Sequence, residues 1–428
     1  MIDFSNFLKD DKALKAFNDN KPGLCNLSEI EEAMLIYNEF TLHKQMMVII
    51  KGNLFAAQQF YYHLYPLMKD DVLLFTVEES LRVEAVAASA NIYGTQMDVL
   101  TQIVESSAAK VIITHPSAVI RYFPKKEVFK KHILNLKVGD HYDLYEIRDL
   151  LIACGYHQTA RVDQPLTFSL RGGVIDVFSI QSEKPLRIEF FDDEIDSLRY
   201  FEITTQKTVE KVKDAIIMPA SAFIYDEDFG EVEKRIRKQL LLSEKKSDNV
   251  NQLNGKIERD ISYLKNHLFE HYLYRYQCFF EQRCSFLDYF DEFKLVISTD
   301  EDVEANLSLV FDDNNSFIRE LVENNEGLNY YSLFMDFNDV INKYHPYHIK
   351  TFASGKEAFK TEIGLTFFPL LPLDKAVDQI VEAAKQSEVI ISLTNNQRIL
   401  LNETFIQNNL KSEDYIKYTD VELFKGFN

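Results

Sequence analysis

Few residues in this 428-residue chain have the types and spacing that chemistry needs. His267 and His271 stand four apart, a spacing that puts two imidazoles on one helix face and suits a metal ion. No third ligand stands nearby, and the neighbours Leu268, Phe269 and Tyr272 favour packing. His345 and His348 flank Pro346-Tyr347 and read as a loop feature. Asp192-Asp193 offers the paired carboxylates of acid–base chemistry. It falls between two strand-like runs, however, where Asp-Asp reads as a hairpin turn. Neither G-x-S-x-G nor H-E-x-x-H occurs, and neither does G-x-x-x-x-G-K-[ST]. The turn Lys51-Gly52-Asn53 joins a strand to a helix but lacks the glycine spacing that cradles phosphates. No catalytic residue, cofactor or metal is therefore expected, and triphosphate binding should be weak.

The charge balance points the same way. Asp and Glu number 67 against 47 Lys and Arg, giving a net charge of -20. Such a chain repels a nucleic-acid backbone, so any grip on DNA must come from elsewhere or from a partner. Cys25, Cys154, Cys278 and Cys284 are scattered without a C-x-x-C pair, which fits buried reduced thiols. The apolar runs Met46–Ile50 and Val111–Ile113 are far too short to span a bilayer. No leader-like start is visible, so no membrane association and a cytoplasmic address are expected. The length calls for roughly two to four domains.

The elements that must position any site alternate in type. Met46–Lys51, Val72–Phe75 and Lys110–Thr114 read as buried strands. A helix capped by Asn53 runs through Leu54, Ala57, Tyr61 and Leu64, and Met97, Leu100 and Val104 share another helical face. Strands alternating with helices predict a mostly parallel sheet in residues 1–133.

The pattern changes at Leu134. Asp143 and Glu146 start a helix with the stripe Leu144, Ile147, Leu151 and Cys154, stopped by Gly155. Four strand-like runs follow: Thr167–Arg171, Val174–Phe178, Leu186–Phe191 and Ile195–Phe201. Gly172-Gly173, Ser182–Pro185 and Asp192-Asp193 separate them. Residues 134–213 thus form a small α+β module with an antiparallel sheet. Residues 214–330 return to a charged helical stretch. It has a break at Gly230, a helix over Glu231–Leu241, a polar loop over Ser243–Asn254, a Tyr- and Phe-rich part over 256–292 and a strand at Lys294–Ser298. The polar stretch 312–327 marks a division, and residues 331–428 form a further small α/β unit. There Asp374 caps a helix bearing Val377, Ile380, Val381 and Ala384, followed by a strand over Glu388–Leu393 and a helix over Asn395–Asn409.

Three pieces in fixed order carry a family signature: RGGVIDVF at Arg171–Phe178, LRIEFFDDEIDSLRYF at Leu186–Phe201, and IMPA at Ile217–Ala220. They resemble the segment shared by the excision-repair protein UvrB and the transcription-repair coupling factors. Asn53–Gln58 (NLFAAQ), Glu79–Ala88 (ESLRVEAVAA), Thr114–Ser117 (THPS) and Gly155-Tyr156 favour the coupling factors. UvrB carries a nucleotide loop and a long DNA-clamping hairpin; the loop is missing here, and Phe75–Lys110 is too short for the hairpin.

The resemblance implies a fold: a degenerate, RecA/helicase-like parallel-sheet domain interrupted by the small domain. It also implies a function, recruitment of UvrA to DNA damage in transcription-coupled nucleotide excision repair. RNA polymerase, double-stranded DNA and ATP would be engaged by domains outside this chain. A nucleotide-dependent, UvrB-like DNA-processing protein and a structural brace that holds a motor inactive are the competing readings.

The family's docking strand is rich in arginine. Arg171 matches one such position, and Ser169 stands where the pattern has another. His157 or Gln158 falls near a further basic position, and Arg161 is a candidate to compensate. Alternation puts Phe168 and Leu170 on one face, and Ser169 and Arg171 on the other. Arg171 then either docks a partner or pairs with Asp176 or Glu189. Phe178 and Phe191 read as core.

Overall fold

The computed structural model describes residues 12–20, 24–25, 27–83, 90–180, 182–268, 270–350 and 372–419, with Phe4 and Val421. The C-terminal part of Glu79–Ala88 and the end Gly426-Phe427-Asn428 lie outside the described residues. A six-stranded sheet organises the first domain. Across it the strands run Leu24–Cys25, Tyr347–Lys350, Lys294–Ser298, Met47–Ile50, Val111–Thr114 and Val72–Leu74, and every neighbouring pair is parallel.

Parallel strands need crossover connections that cover both faces. That is why Met47–Ile50 and Val111–Thr114 read as unbroken apolar runs, and all their residues are buried. Alternation then deals the side chains to two cores. Val48, Ile50 and Ile112 enter one, and Met47, Ile49, Val111 and Ile113 the other. The crossover helix Leu54–Met68 starts where expected, with Asn53 Oδ1 accepting from the Ala56 N–H at 2.9 Å.

Strands from before residue 115 and after residue 293 share this sheet, so the chain between them is inserted into the domain. The division expected near residue 330 falls later. Helix Phe337–Ile341 packs in the same core, and Tyr347–Lys350 pairs with Lys294–Ser298. A short strand among polar neighbours gives too weak a pattern to stand out.

The inserted module has an antiparallel sheet ordered Thr208–Val212, Glu194–Phe201, Leu186–Phe191, Val174–Phe178 and Thr167–Arg171, with the two-residue strand His157–Gln158 added in parallel at the edge. The helix Leu144–Ala153 supplies Ile147 and Leu151 to its core. The module ends later than residue 213, because Asp214–Ile217 pairs antiparallel with Leu134–Lys137 and Ala215, Ile217 and Ala220 join the core.

The helical part departs most from expectation. Gly230 does not break a helix; it sits in the first turn of Phe229–Glu244, capped by Asp228. The stretch expected as a loop over Ser243–Asn254 is largely helical. Asn249 Oδ1 accepts from Gln252 N–H and starts the helix Val250–Lys265, whose Leu253, Ile257, Ile261 and Leu264 are buried. The polar run Asp312-Asp313-Asn314-Asn315 lies inside the long helix Asp300–Glu323 rather than at a division. Its Asn314 is fully buried and binds a neighbouring segment, accepting from the Leu81 N–H at 2.8 Å and donating to the Glu79 carbonyl at 3.0 Å.

In the last unit, Val389–Ser392 and Ile416–Thr419 form a parallel pair beside helices Leu373–Ala384 and Asn395–Gln407. The first of these helices begins before Asp374, so Pro372 takes the cap position. Among the described residues, no helix is long and apolar enough to cross a membrane.

His267 and His271 do not share a helix face. The helix ends at Lys265, and His267 has a left-handed φ of 53°. Its ring instead stacks on Tyr225 at a centroid distance of 4.8 Å. Burial, then the nearby His132, holds its pKa below the ordinary value of 6.5. A folded-state pKa below the unfolded one favours unfolding on protonation. The contribution is therefore complete above about pH 6.5 and lost as pH falls below it. Replacing His267 with Phe is expected to flatten the loss of stability between about pH 7 and pH 5, followed by denaturant unfolding at each pH.

Candidate docking site

The strand that carries Arg171 is fixed from both ends. Upstream, Gly155 at φ 89° closes the helix Leu144–Ala153, and the Tyr156 N–H returns to the Leu151 carbonyl at 3.0 Å. The Tyr156 ring is buried, and its hydroxyl donates to the Met218 carbonyl at 2.7 Å. This anchor delivers His157–Gln158 to the sheet edge, where the His157 N–H reaches the Leu166 carbonyl at 2.9 Å. Downstream, Gly172 at φ 59° allows the two-residue turn between Arg171 and Val174. A Cβ on Gly173 would stand 3.1 Å from the Phe190 carbonyl oxygen, so any side chain there would press on the neighbouring strand.

The expected alternation is present. Phe168 is fully buried and Leu170 packs against the same core, while the Arg171 side chain is 57% exposed on the opposite face. That face is a charged lattice. The cross-strand row Ser169, Asp176, Arg187 and Arg199 follows from the register. Asp176, only 2% exposed, takes both oxygens to Arg187, at 2.6 Å from Nε and 2.8 Å from Nη2. Arg187 also lies 4.4 Å from the Phe201 ring centroid. Arg171 reaches the same carboxylate only at 3.5 Å, the outer limit of a hydrogen bond. Glu189 is occupied elsewhere: Arg199 and Ser197 hold its carboxyl below the ordinary range, and Ser197 Oγ donates at 2.6 Å. Of the two carboxylates within reach of Arg171 along the sheet, Asp176 is the one it meets, and only at its margin.

The other candidates divide. His157 and Gln158 are exposed at the edge. Arg161 is exposed but donates to the Ile203 carbonyl at 2.8 Å, so its guanidinium is partly committed. Ser169 is 1% exposed, opposite the buried Asp176, and is not on the free surface. Phe178 is core as expected, but Phe191 is 78% exposed. The signal that reveals Phe191 is in the sequence: Leu186, Ile188 and Phe190 alternate inward, which sends Phe191 out with Arg171. It stands at the same end of the sheet, since the Phe190 N–H bonds the Gly173 carbonyl at 2.8 Å. Sequence reasoning also misses Arg187; an arginine directly across from Asp176 needs the register to be recognised.

The crevice at the C-terminal ends of the parallel strands is where open α/β sheets take ligands. Here side chains of the chain itself occupy it. Lys51 is buried, with Nζ 2.7 Å from Glu32 Oε2 and 2.8 Å from Ser298 Oγ. A Cβ on Gly52 would lie 2.5 Å from Asp302 Cβ, so the start of helix Asp300–Glu323 presses on the turn. Above it, His115 Nε2 accepts from the Val77 N–H at 3.1 Å and its Nδ1 faces Glu79 at 3.2 Å. Burial pushes the Glu79 carboxyl up, but hydrogen bonds from His115, Asn306 and the Leu54 N–H outweigh it and hold the pKa down. Ser80 bonds Asp313 at 2.6 Å and Arg82 grips Glu320 through two bonds, which straps this segment to the long helix. Among the described residues, no three His, Cys, Asp or Glu cluster as metal ligands.

Residues 134–223 match the UvrB interaction domain. The chain as a whole is similar to transcription-repair-coupling factors. The Bacillus subtilis (strain 168) protein is 29% identical over 303 residues, covering 68% of this chain and 25% of the relative. The Staphylococcus haemolyticus (strain JCSC1435) protein is 23% identical over 461 residues, covering 99% of this chain and 38% of the relative. That of Staphylococcus aureus (strain RF122) is 25% identical over 345 residues, 77% of this chain and 29% of the relative. The chain therefore resembles the N-terminal, UvrB-homology region of these factors and spans between 25% and 38% of their length.

Proposed function

We propose that this chain is a non-catalytic docking platform that recruits UvrA in transcription-coupled nucleotide excision repair. The observation that carries this reading is the pairing of an exposed arginine, Arg171, with an exposed aromatic, Phe191, at one end of the small domain's sheet. Arginine and aromatic anchors dominate protein interfaces. Arg171 is 57% exposed, and Arg187 satisfies the carboxylate it touches, so its charge remains available to a partner. The match of this domain to the UvrB interaction domain supports UvrA as that partner. RNA polymerase and double-stranded DNA belong in this proposal to the parts of the coupling factor outside this chain.

The absence of catalysis is part of the same proposal, and the filled crevice supports it. A triphosphate would have to displace the Lys51–Glu32 pair and the Asp302 side chain. Titration with ATP is expected to give no saturable binding below about 1 mM, a standard free energy weaker than about 4 kcal/mol. Micromolar ATP affinity would overturn the docking-only reading in favour of a nucleotide-dependent, UvrB-like protein.

The direct test is binding to purified UvrA. Micromolar or tighter association is expected; none by the folded chain would sink recruitment and favour a structural brace. Phe191→Ala is expected to weaken that association about tenfold or more. Its thermal midpoint should not move, since a side chain this exposed adds little to the core.

A further inference from the structure

We propose that the partner of this docking surface adds an extended, carboxylate-bearing segment to the open edge of the strand Thr167–Arg171, pairing with the backbone of Leu170. This inference rests on the UvrA-docking reading and specifies how that site would be used.

The argument comes from where the backbone groups point. His157 N–H bonds the Leu166 carbonyl and Thr159 N–H bonds the Phe168 carbonyl, so these two carbonyls face the added strand His157–Gln158, while the N–H of Leu166, at a left-handed φ of 63°, bonds the Phe178 carbonyl. Backbone groups alternate sides along a strand. Thr167, Ser169 and Arg171 therefore face Val174–Phe178, and Leu170 faces the edge again. The added strand has ended before it can reach Leu170. Beyond Thr159 the chain turns off the edge, with Thr159 Oγ1 donating to the Arg161 carbonyl at 3.0 Å and Arg161 reaching Ile203. By this alternation the Leu170 N–H and carbonyl point away from Val174–Phe178, past the end of the pairing with His157–Gln158. An edge that aims an N–H and a carbonyl outward is a template for an incoming strand.

Charge selects the occupant. These groups lie between Arg171 on one side and the exposed His157 on the other, with Arg161 close in sequence. The chain around them carries a net charge of -20. The exposed Arg171 beside this edge, on an acidic protein, fits an extended segment whose outward side chain is Asp or Glu, placed against its guanidinium. Backbone pairing would fix its register and the ion pair its identity. Lysine and proline are common guards of exposed edges, and neither occurs between Thr167 and Arg171.

The test is residue-resolved amide exchange of the whole chain, free and with saturating purified UvrA. Alone, the Leu170 amide is expected to exchange quickly, unlike its paired neighbours Ser169 and Arg171. In the complex it is expected to slow by about tenfold or more. If UvrA binds while Leu170 exchange is unchanged, strand addition is wrong, and docking through Arg171 and Phe191 side chains survives. A Leu170 amide already protected in the free chain also overturns it. Failure of UvrA to bind at all overturns the docking reading and this inference together.

Discussion

Replacing Asp260 with alanine is expected to lower the stability of the helical core by about 3–5 kcal/mol. Asp260 lies on the helix Val250–Lys265 with none of its surface exposed. Its Oδ1 accepts from Lys256 Nζ at 2.9 Å and the Tyr272 hydroxyl at 3.1 Å. Its Oδ2 accepts from Arg275 Nη2 and the Tyr276 hydroxyl, both at 2.9 Å. Four donors on one carboxylate is a fully used group. Alanine would leave the Arg275 guanidinium, itself 4% exposed, charged and without its carboxylate. It would also take away the acceptor for the proton of the buried Tyr276 hydroxyl, leaving that group its bond with Tyr331. Removing one member of a buried ion pair costs far more than the pair contributes, because the survivor stays desolvated. Lys256→Met is the contrast: Asp260 keeps three donors, so the loss should stay near 1 kcal/mol. With 22 Tyr and no Trp, tyrosine fluorescence through a denaturant titration can follow both. A loss below about 1 kcal/mol for Asp260→Ala would mean that water or another donor set replaces the network.

The central sheet is legible in the sequence because parallel strands are buried on both faces and cannot hide among polar residues. Met47–Ile50 and Val111–Thr114 could only be strands. The small domain is legible for a different reason: its turns carry Gly172-Gly173 and Asp192-Asp193, and alternation does the rest. What fails is polarity read as a loop. Asn314 and Asn249 are polar because one bonds a neighbouring segment and the other caps a helix, and neither purpose shows in a local pattern. Tyr347–Lys350 escapes notice because a four-residue strand is held by its neighbours in the sheet, not by its own residues.

The candidate site is half legible. Alternation exposes Arg171 and applies equally to Phe191, although a large aromatic reads as core. Ser169 misleads for a reason no linear reading supplies. Its face is outward, but that face is roofed by charged pairs, and the residue opposite it is a buried aspartate. The same pairs explain why Arg171 is left available. On this face Arg187 has Asp176 and Arg199 has Glu189; Arg171, in the neighbouring cross-strand row with Val174 and Glu189, is the one without a carboxylate of its own.

That asymmetry gives the docking hypothesis its sharpest test. Arg171→Glu is expected to reduce UvrA affinity by about a hundredfold or more, roughly 2.7 kcal/mol. It reverses a charge at an exposed anchor position and leaves the Arg187–Asp176 pair in place. Stability should fall by no more than about 1 kcal/mol, since Arg171 is exposed and meets Asp176 only at the limit of hydrogen-bond distance. Arg187→Ala should do the opposite. It removes both bonds to a carboxylate that is 2% exposed, leaving it to Arg171 alone, and is expected to cost about 3–5 kcal/mol of small-domain stability. Any loss of UvrA binding by Arg187→Ala should then track unfolding, whereas the loss by Arg171→Glu should occur in a chain that is still fully folded at the assay temperature. If Arg171→Glu unfolds the small domain, the contact with Asp176 is structural and the anchor must be sought at Phe191. If it leaves both folding and UvrA affinity intact, the exposed arginine is not part of the interface.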